Sequence, residues 1–406
     1  LGAQRVAGID RAQPAPLGIA EIGHRVERDV GHRLAEDDVE RREVVDRAVG
    51  QAGGAGELVR GIERVPRGVE RVVERPLAAR DAARDGVADH LAKSEEDALE
   101  RARTQRLQAL RRHQQVPGPQ VNKAFYRTLY GDHPYGHPSG GTMDSIRAIE
   151  RQHLQAFWNE YYTTGNAVIA LVGDIKQEEA KALAARISDQ LPEGGPAPEL
   201  EQAKPLTERK REHIDFPSQQ THLKLGNQLI QRGHPDYVPL YVGNHILGGG
   251  GFTSILMEEV RQERGYVYGI SSGLHPMAAG GPRTVGLQTR NQQAGEALGL
   301  TLSLVKDFVA GGPTQEQLRK ARDNIRGNFA RSTASNSDIV GQLAAIGFYD
   351  LPLDYLEWFR EQVNQTSVED VKQAFQKHLK PENLAIVSIG PEKPEPRMPE
   401  DDSEGE

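Results

Sequence analysis

Residues 246–273 read ILGGGGFTSILMEEVRQERGYVYGISSG. A helical pattern over 236–247 runs into four glycines, Gly248, Gly249, Gly250 and Gly251, and a second helical pattern follows over 253–262. The glycines therefore read as a flexible hinge between helices, with Thr253 or Ser254 placed to cap the second one. A phosphate-loop reading fails, because no Gly-Lys-Ser/Thr follows to supply the lysine and hydroxyl such a loop needs. After Gly265 the pattern changes to a strand over 266–273. Arg261 ends the helix and Tyr268 lies on the strand, with a short turn between them. Taken alone, they read as a solvated helix arginine and a sheet-core tyrosine.

The pattern extends outward on both sides. Strands are expected at 211–216, 220–226, 284–289 and 384–389, and helices at 292–310, 314–332, 336–349, 354–364 and 367–379. Strands grouped before helices predict an α+β layer, a sheet with helices packed on one face. Upstream, helices are expected over 95–115, 119–130, 144–162 and 177–190, and a buried strand over 166–172 (NAVIALV). AIVSIG at 385–390 echoes AVIALVGD at 167–174, each preceded by an aromatic-bearing helix and an asparagine, Asn383 or Asn166. One unit used twice is the simplest account. It divides the chain into 93–191, the remainder of a first domain, and 206–390, a second domain with apolar segments enough for an independent core. Residues 192–205 (PEGGPAPELEQAKP) are the linker. Residues 391–406 carry seven acids against Lys393 and Arg397 and read as a disordered acidic tail. In the loop GDHPYGHPSGG, His133 and His137 are two potential metal ligands without a near third, and so read as structural. Arg290, at a strand end, is a weaker candidate for a peptide contact.

Composition sets limits. The chain has 406 residues, net charge -8 and pI near 6.0, which argues against a nucleic-acid binder. It has no cysteine, which excludes disulfides, thiol nucleophiles and Cys-bound metal. Mean hydropathy is -0.60 and no apolar run is long enough to span a membrane. Residues 1–92 contain no Phe, Tyr, Trp, Lys, Asn, Ser, Thr, Met or Cys. This atypical segment reads as disordered, as a helical region poor in aromatics, or as non-native coding sequence. No signal peptide is visible.

The segments YGDHPYGHPSGG, FWNEYYTTGNAVIALVGDI and ILGGGGFTSILMEEVRQERGYVYGISSG, followed by GLQTRNQQAGEAL and AIGFYDLPLDYL, resemble the insulinase-type (M16) zinc metallopeptidase family. The bacterial two-domain branch related to mitochondrial processing peptidase is the nearest in pattern. The resemblance covers about 95–390. It implies two homologous α+β domains closing on an unfolded peptide, the first of them incomplete here. It also implies a zinc site on an H-x-x-E-H helix, with a further Glu some seventy-odd residues later.

None of the thirteen histidines begins H-x-x-E-H; His24 and His32 come nearest. The later Glu should fall near Arg111 or Arg112, yet no acid occurs between Arg101 and Gly131. This chain is therefore expected to bind no metal and to hold no catalytic residue. Zinc belongs to a partner or to a missing N-terminal region. Arg261 and Tyr268 match the family's Arg–Tyr pair, whose side chains reach across the cleft to the substrate. The resemblance thus implies a non-catalytic subunit that supplies half of a peptide-binding chamber to a zinc-bearing M16 partner. The alternative is an active zinc metalloendopeptidase whose H-x-x-E-H region is missing from this chain. The family makes a periplasmic location preferable to a cytoplasmic one.

Overall fold

The computed structural model describes residues 88–398, with side chains from residue 97 onward. The readings for residues 1–87 and 399–406 lie outside the described residues. The chain divides into two units, Asp10–Thr104 and one that includes Gln105–Glu406. Of the first, only the start of helix α1 (Ala88–His113) is described.

Within the second unit, α2 (Pro117–Tyr130) follows α1. Proline at its first turn loses no helical hydrogen bond, and Gly131 ends it at a positive φ of 58°. Its stripe of Val121, Ala124, Phe125 and Leu129 is buried. Next come α3 (Met143–Ala148), started by a Thr142–Ser145 capping box, then α4 (Arg151–Tyr161) and α5 (Gln177–Ser188). Among the described residues, the strand expected at 166–172 is reduced to a single bridge position at Ile169. A strand needs a ladder partner, and Val168 instead remains 39% exposed. On α4 no residue is buried, and Leu154, Phe157 and Trp158 stay exposed.

The sheet contains β1 (Lys210–Asp215), β2 (Gln220–Gln228), β3 (Val267–Leu274), β4 (Pro282–Arg290) and β5 (Ala385–Gly390), in the order β1-β5-β2-β4-β3. Only β1 and β5 pair in parallel. Strand alternation sends the two faces to different cores. Leu223, Leu225, Ile270, Val285, Leu287 and Ile386 join one core. It is roofed by α6 (Tyr237–Asn244), α7 (Ala294–Gly311), α8 (Gln315–Arg331) and α11 (Val368–His378). Between the last two lie α9 (Asn336–Phe348) and α10 (Tyr355–Gln365).

That is the layered sheet the sequence predicts. The opposite face, however, is also covered. Ala385, Val387 and Ile389 of β5 pack on Val121, Phe125, Leu129 and Tyr130 of α2, a helix assigned from sequence to the first domain. Gly226 makes this possible, since a Cβ there would stand 2.8 Å from the Phe125 ring and 2.1 Å from the Arg283 carbonyl.

The linker has no regular structure but is fastened at both ends. Thr164 donates its backbone N–H to Pro192, and Ala203 donates to Ala279. Residues 391–398, expected to be a solvated tail, lie instead along α7. Arg397 donates to the Gly295 carbonyl, Arg211 reaches the Pro394 carbonyl and pairs with Glu395, and Pro394 is buried. Charge content alone misses such a strap, because two of its anchors are the backbone of Pro394 and of Arg397.

Candidate functional site

The glycine run and the strand after it form a surface unusual in backbone geometry. Residues His245–Gly249 form a π turn, Gly251–Thr253 a 3₁₀ turn, and Met257–Glu263 a second π turn. The π turns are of an uncommon kind that is frequent at functional sites. The expected α-helix over 253–262 is therefore wound more loosely. Ser254 stands at its start, but its hydroxyl donates back to the Gly251 carbonyl. The glycines have a packing reason as well. At Gly248 a Cβ would lie 2.6 Å from the Ser272 Oγ and 2.9 Å from the Ser272 backbone nitrogen. Only a glycine lets the turn sit this close to β3.

Arg261 lies on the second π turn. Gly265 donates to the Arg261 carbonyl and Tyr266 to the Val260 carbonyl, which turns the chain sharply into β3. The β3–β4 ladder then slips between Val267 and Gly269, leaving Tyr268 as the extra residue. A bulge re-aims its side chain, and Tyr268 projects outward at 83% exposure. This replaces the sheet-core reading of Tyr268. The structure brings Arg261 and Tyr268 together, with the guanidinium carbon 5.8 Å from the phenol ring centre. It adds a residue that the sequence reading passed over. Phe252, 65% exposed, lies with its ring centre 5.0 Å from the same guanidinium. Gln262 fixes the Phe252 backbone by donating to its carbonyl at 2.8 Å. A lone aromatic directly after a glycine run was the available signal.

Beside the glycines is a recess of about 190 Å³, lined by Tyr241, Asn244, His245, Ser272 and Leu274 among others. The Ser272 hydroxyl donates to the Asn244 side chain at 2.8 Å, and Asn244 returns a bond to the Ser272 carbonyl at 3.3 Å. Burial holds the His245 imidazole below its ordinary pKa, against a smaller opposing effect from Asn324.

The donor set does not fit a family-type zinc centre. No H-x-x-E-H occurs in the sequence, and the last turn of α1 is basic, with Arg111, Arg112 and His113. Cationic side chains cannot ligate a cation. His133 is engaged on both ring nitrogens, accepting from the Tyr135 N–H and donating to the Glu201 carbonyl.

Among the described residues, His234, Asp236 and His378 form a cluster of ligand type. Asp236 already carries Lys377 and His378, each at 2.6 Å, and His234 Nδ1 accepts the Asp236 N–H. Asp236 begins α6, and His378 ends α11. The arrangement pairs an acid with one helix N-terminus and bases with another's C-terminus, as helix dipoles favour. Arg290 ends β4 and donates to Gln293 at 3.0 Å, apart from the Arg261 group in sequence and in its partners.

A family model described as the peptidase M16 inactive domain matches residues 148–325. The crystal structure of a peptidase M16 inactive domain from Pseudomonas fluorescens is 44% identical, with a TM-score of 0.71, covering 74% of this chain and 72% of that one. An uncharacterized zinc protease of Mycobacterium tuberculosis is 25% identical over 279 residues, 68% of this chain. The match spans 63% of that relative's length. A Helicobacter pylori protein named as a non-peptidase homolog is 22% identical over 302 residues, 73% of this chain and 69% of its own. The fold, the ordered motifs and the extent of the match to the Pseudomonas structure together place this chain in the peptidase M16 family.

Proposed function

We propose that this chain is a non-catalytic M16 subunit that forms half of a peptide-binding chamber and presents Arg261 and Tyr268 to peptide held by a zinc-bearing partner. The observation that carries the reading is a guanidinium–phenol pair, a half-buried Arg261 beside an exposed Tyr268, brought together by a π turn and a bulge in a sequence without H-x-x-E-H. Arg and phenol donors can hold a peptide carbonyl and stabilise the charge that develops on it. Zinc, on this reading, is supplied by the partner.

The test compares the purified chain alone with the chain mixed with a zinc-bearing M16 subunit. Chelator-sensitive peptide cleavage is expected only in the mixture. Tyr268→Phe should lower turnover about tenfold or more, equivalent to roughly 1.4 kcal/mol. A second reading, an active zinc metalloendopeptidase, draws on relatives named zinc proteases of which this match spans 63%. On that reading the H-x-x-E-H region is missing from this chain, so near-stoichiometric zinc and chelator-sensitive cleavage are expected without any partner once that region is restored, and that result would replace the first reading.

A further inference from the structure

We propose that Phe252 positions Arg261 and makes this surface select peptides with a large apolar side chain beside the carbonyl that Arg261 holds. The inference rests on the peptide-binding reading and extends it to substrate class. Three side chains from separate elements meet here: Phe252 from the 3₁₀ turn after the glycines, Arg261 from the second π turn, and Tyr268 from the bulge in β3. The guanidinium lies 5.0 Å from the Phe252 ring centre and 5.8 Å from the Tyr268 ring centre. Arginine on its own is a long, mobile cation. Rings on which its flat group can rest restrict it and leave the donor edge free, which lowers the ordering cost of each hydrogen bond it makes.

The two rings are 65% and 83% exposed, far more than aromatic side chains usually are, and both border one cation. An apolar side chain of a bound peptide would cover these rings and gain from burial, while its backbone carbonyl meets the guanidinium. The loop is built to hold Phe252 in place. Gln262, one residue beyond Arg261, donates to the Phe252 carbonyl, and the Ser254 hydroxyl donates to Gly251 on the other side.

The experiment uses the full chain and two fluorescein-labelled peptides of equal length, one with Phe and one with Ser at every third position, read by fluorescence anisotropy. Wild type should bind the Phe peptide about tenfold more tightly, the scale of burying one large apolar side chain. Phe252→Ala should remove most of that preference, and Phe252→Tyr should keep it, since the ring remains. Because Phe252 is on the surface, unchanged thermal midpoints are expected for both variants. A Phe252→Ala chain that keeps the full preference overturns the proposal. If Arg261→Ala weakens both peptides in that case, only the role of Phe252 falls. If Arg261→Ala and Tyr268→Ala each bind both peptides as wild type does, the peptide-binding reading falls with it.

Discussion

At the scale of single residues, burial leaves its mark on the histidines. His222, His245 and His275 all sit below the ordinary imidazole value, in each case chiefly because burial removes water from the charged form. The unfolded chain therefore takes up protons below about pH 6.5 that the folded chain refuses. Stability is complete above that pH and declines as pH falls through it. The urea midpoint should be level from pH 8 to 7 and then drop towards pH 5. His245→Gln should flatten part of the slope; a slope of opposite sign would refute the account. The Asn244–Ser272 pair is a second residue-scale case. Both side chains are buried and bonded to each other. Asn244→Ala strands the Ser272 hydroxyl and should cost about 1–3 kcal/mol in denaturant unfolding.

At the scale of elements, β3 is a sheet edge, and an open edge is a template for unwanted pairing. Here the His245–Gly249 turn covers it, and Asn244 occupies the Ser272 carbonyl. Gly248→Ala would push that turn off the strand. Loss of about 1–3 kcal/mol is expected, the usual cost of overpacking, together with greater aggregation on heating. The apolar spacing of α2, the short apolar run of β5 and the strand after Gly265 were legible because each is a local pattern. Three features were not. The π turns share their apolar pattern with an α-helix, so spacing cannot separate them. The bulge at Tyr268 needs the register of β4, which lies outside the local sequence. The segment at 166–172 has the composition of a strand, but composition does not supply a ladder partner. The Arg261–Tyr268 pairing was visible through a turn too short to part them, whereas Phe252 joins them only because the 3₁₀ and π turns double back.

At the scale of the molecule, the relation between the 206–390 region and what precedes it is decided by α2. Sequence grouping makes that region look self-sufficient, since it holds the whole five-stranded sheet and its roofing helices. Yet Val387 and Ile389 are fully buried, and the helix that buries them spans Pro117–Tyr130. Removing it would bare a continuous apolar strip in the middle of the sheet. It would also expose Lys224, whose ammonium rests over the Phe125 and Tyr126 rings and whose pKa is held down by burial. A chain shortened to residues 206–398 should therefore bind a hydrophobic dye and unfold at lower urea than one spanning 105–398. Phe125→Ala in the complete protein should reproduce part of the effect, costing about 3–5 kcal/mol as a large buried ring is lost. Equal urea midpoints for the two shortened chains would show that α2 is not part of this core. Because α2 lies against β5 and β2, and β2 pairs with β4, which in turn pairs with β3, the same loss should loosen the strand that carries Tyr268. Hydrogen exchange at Val267–Leu274 should then quicken in Phe125→Ala, ahead of any change in α9 or α10.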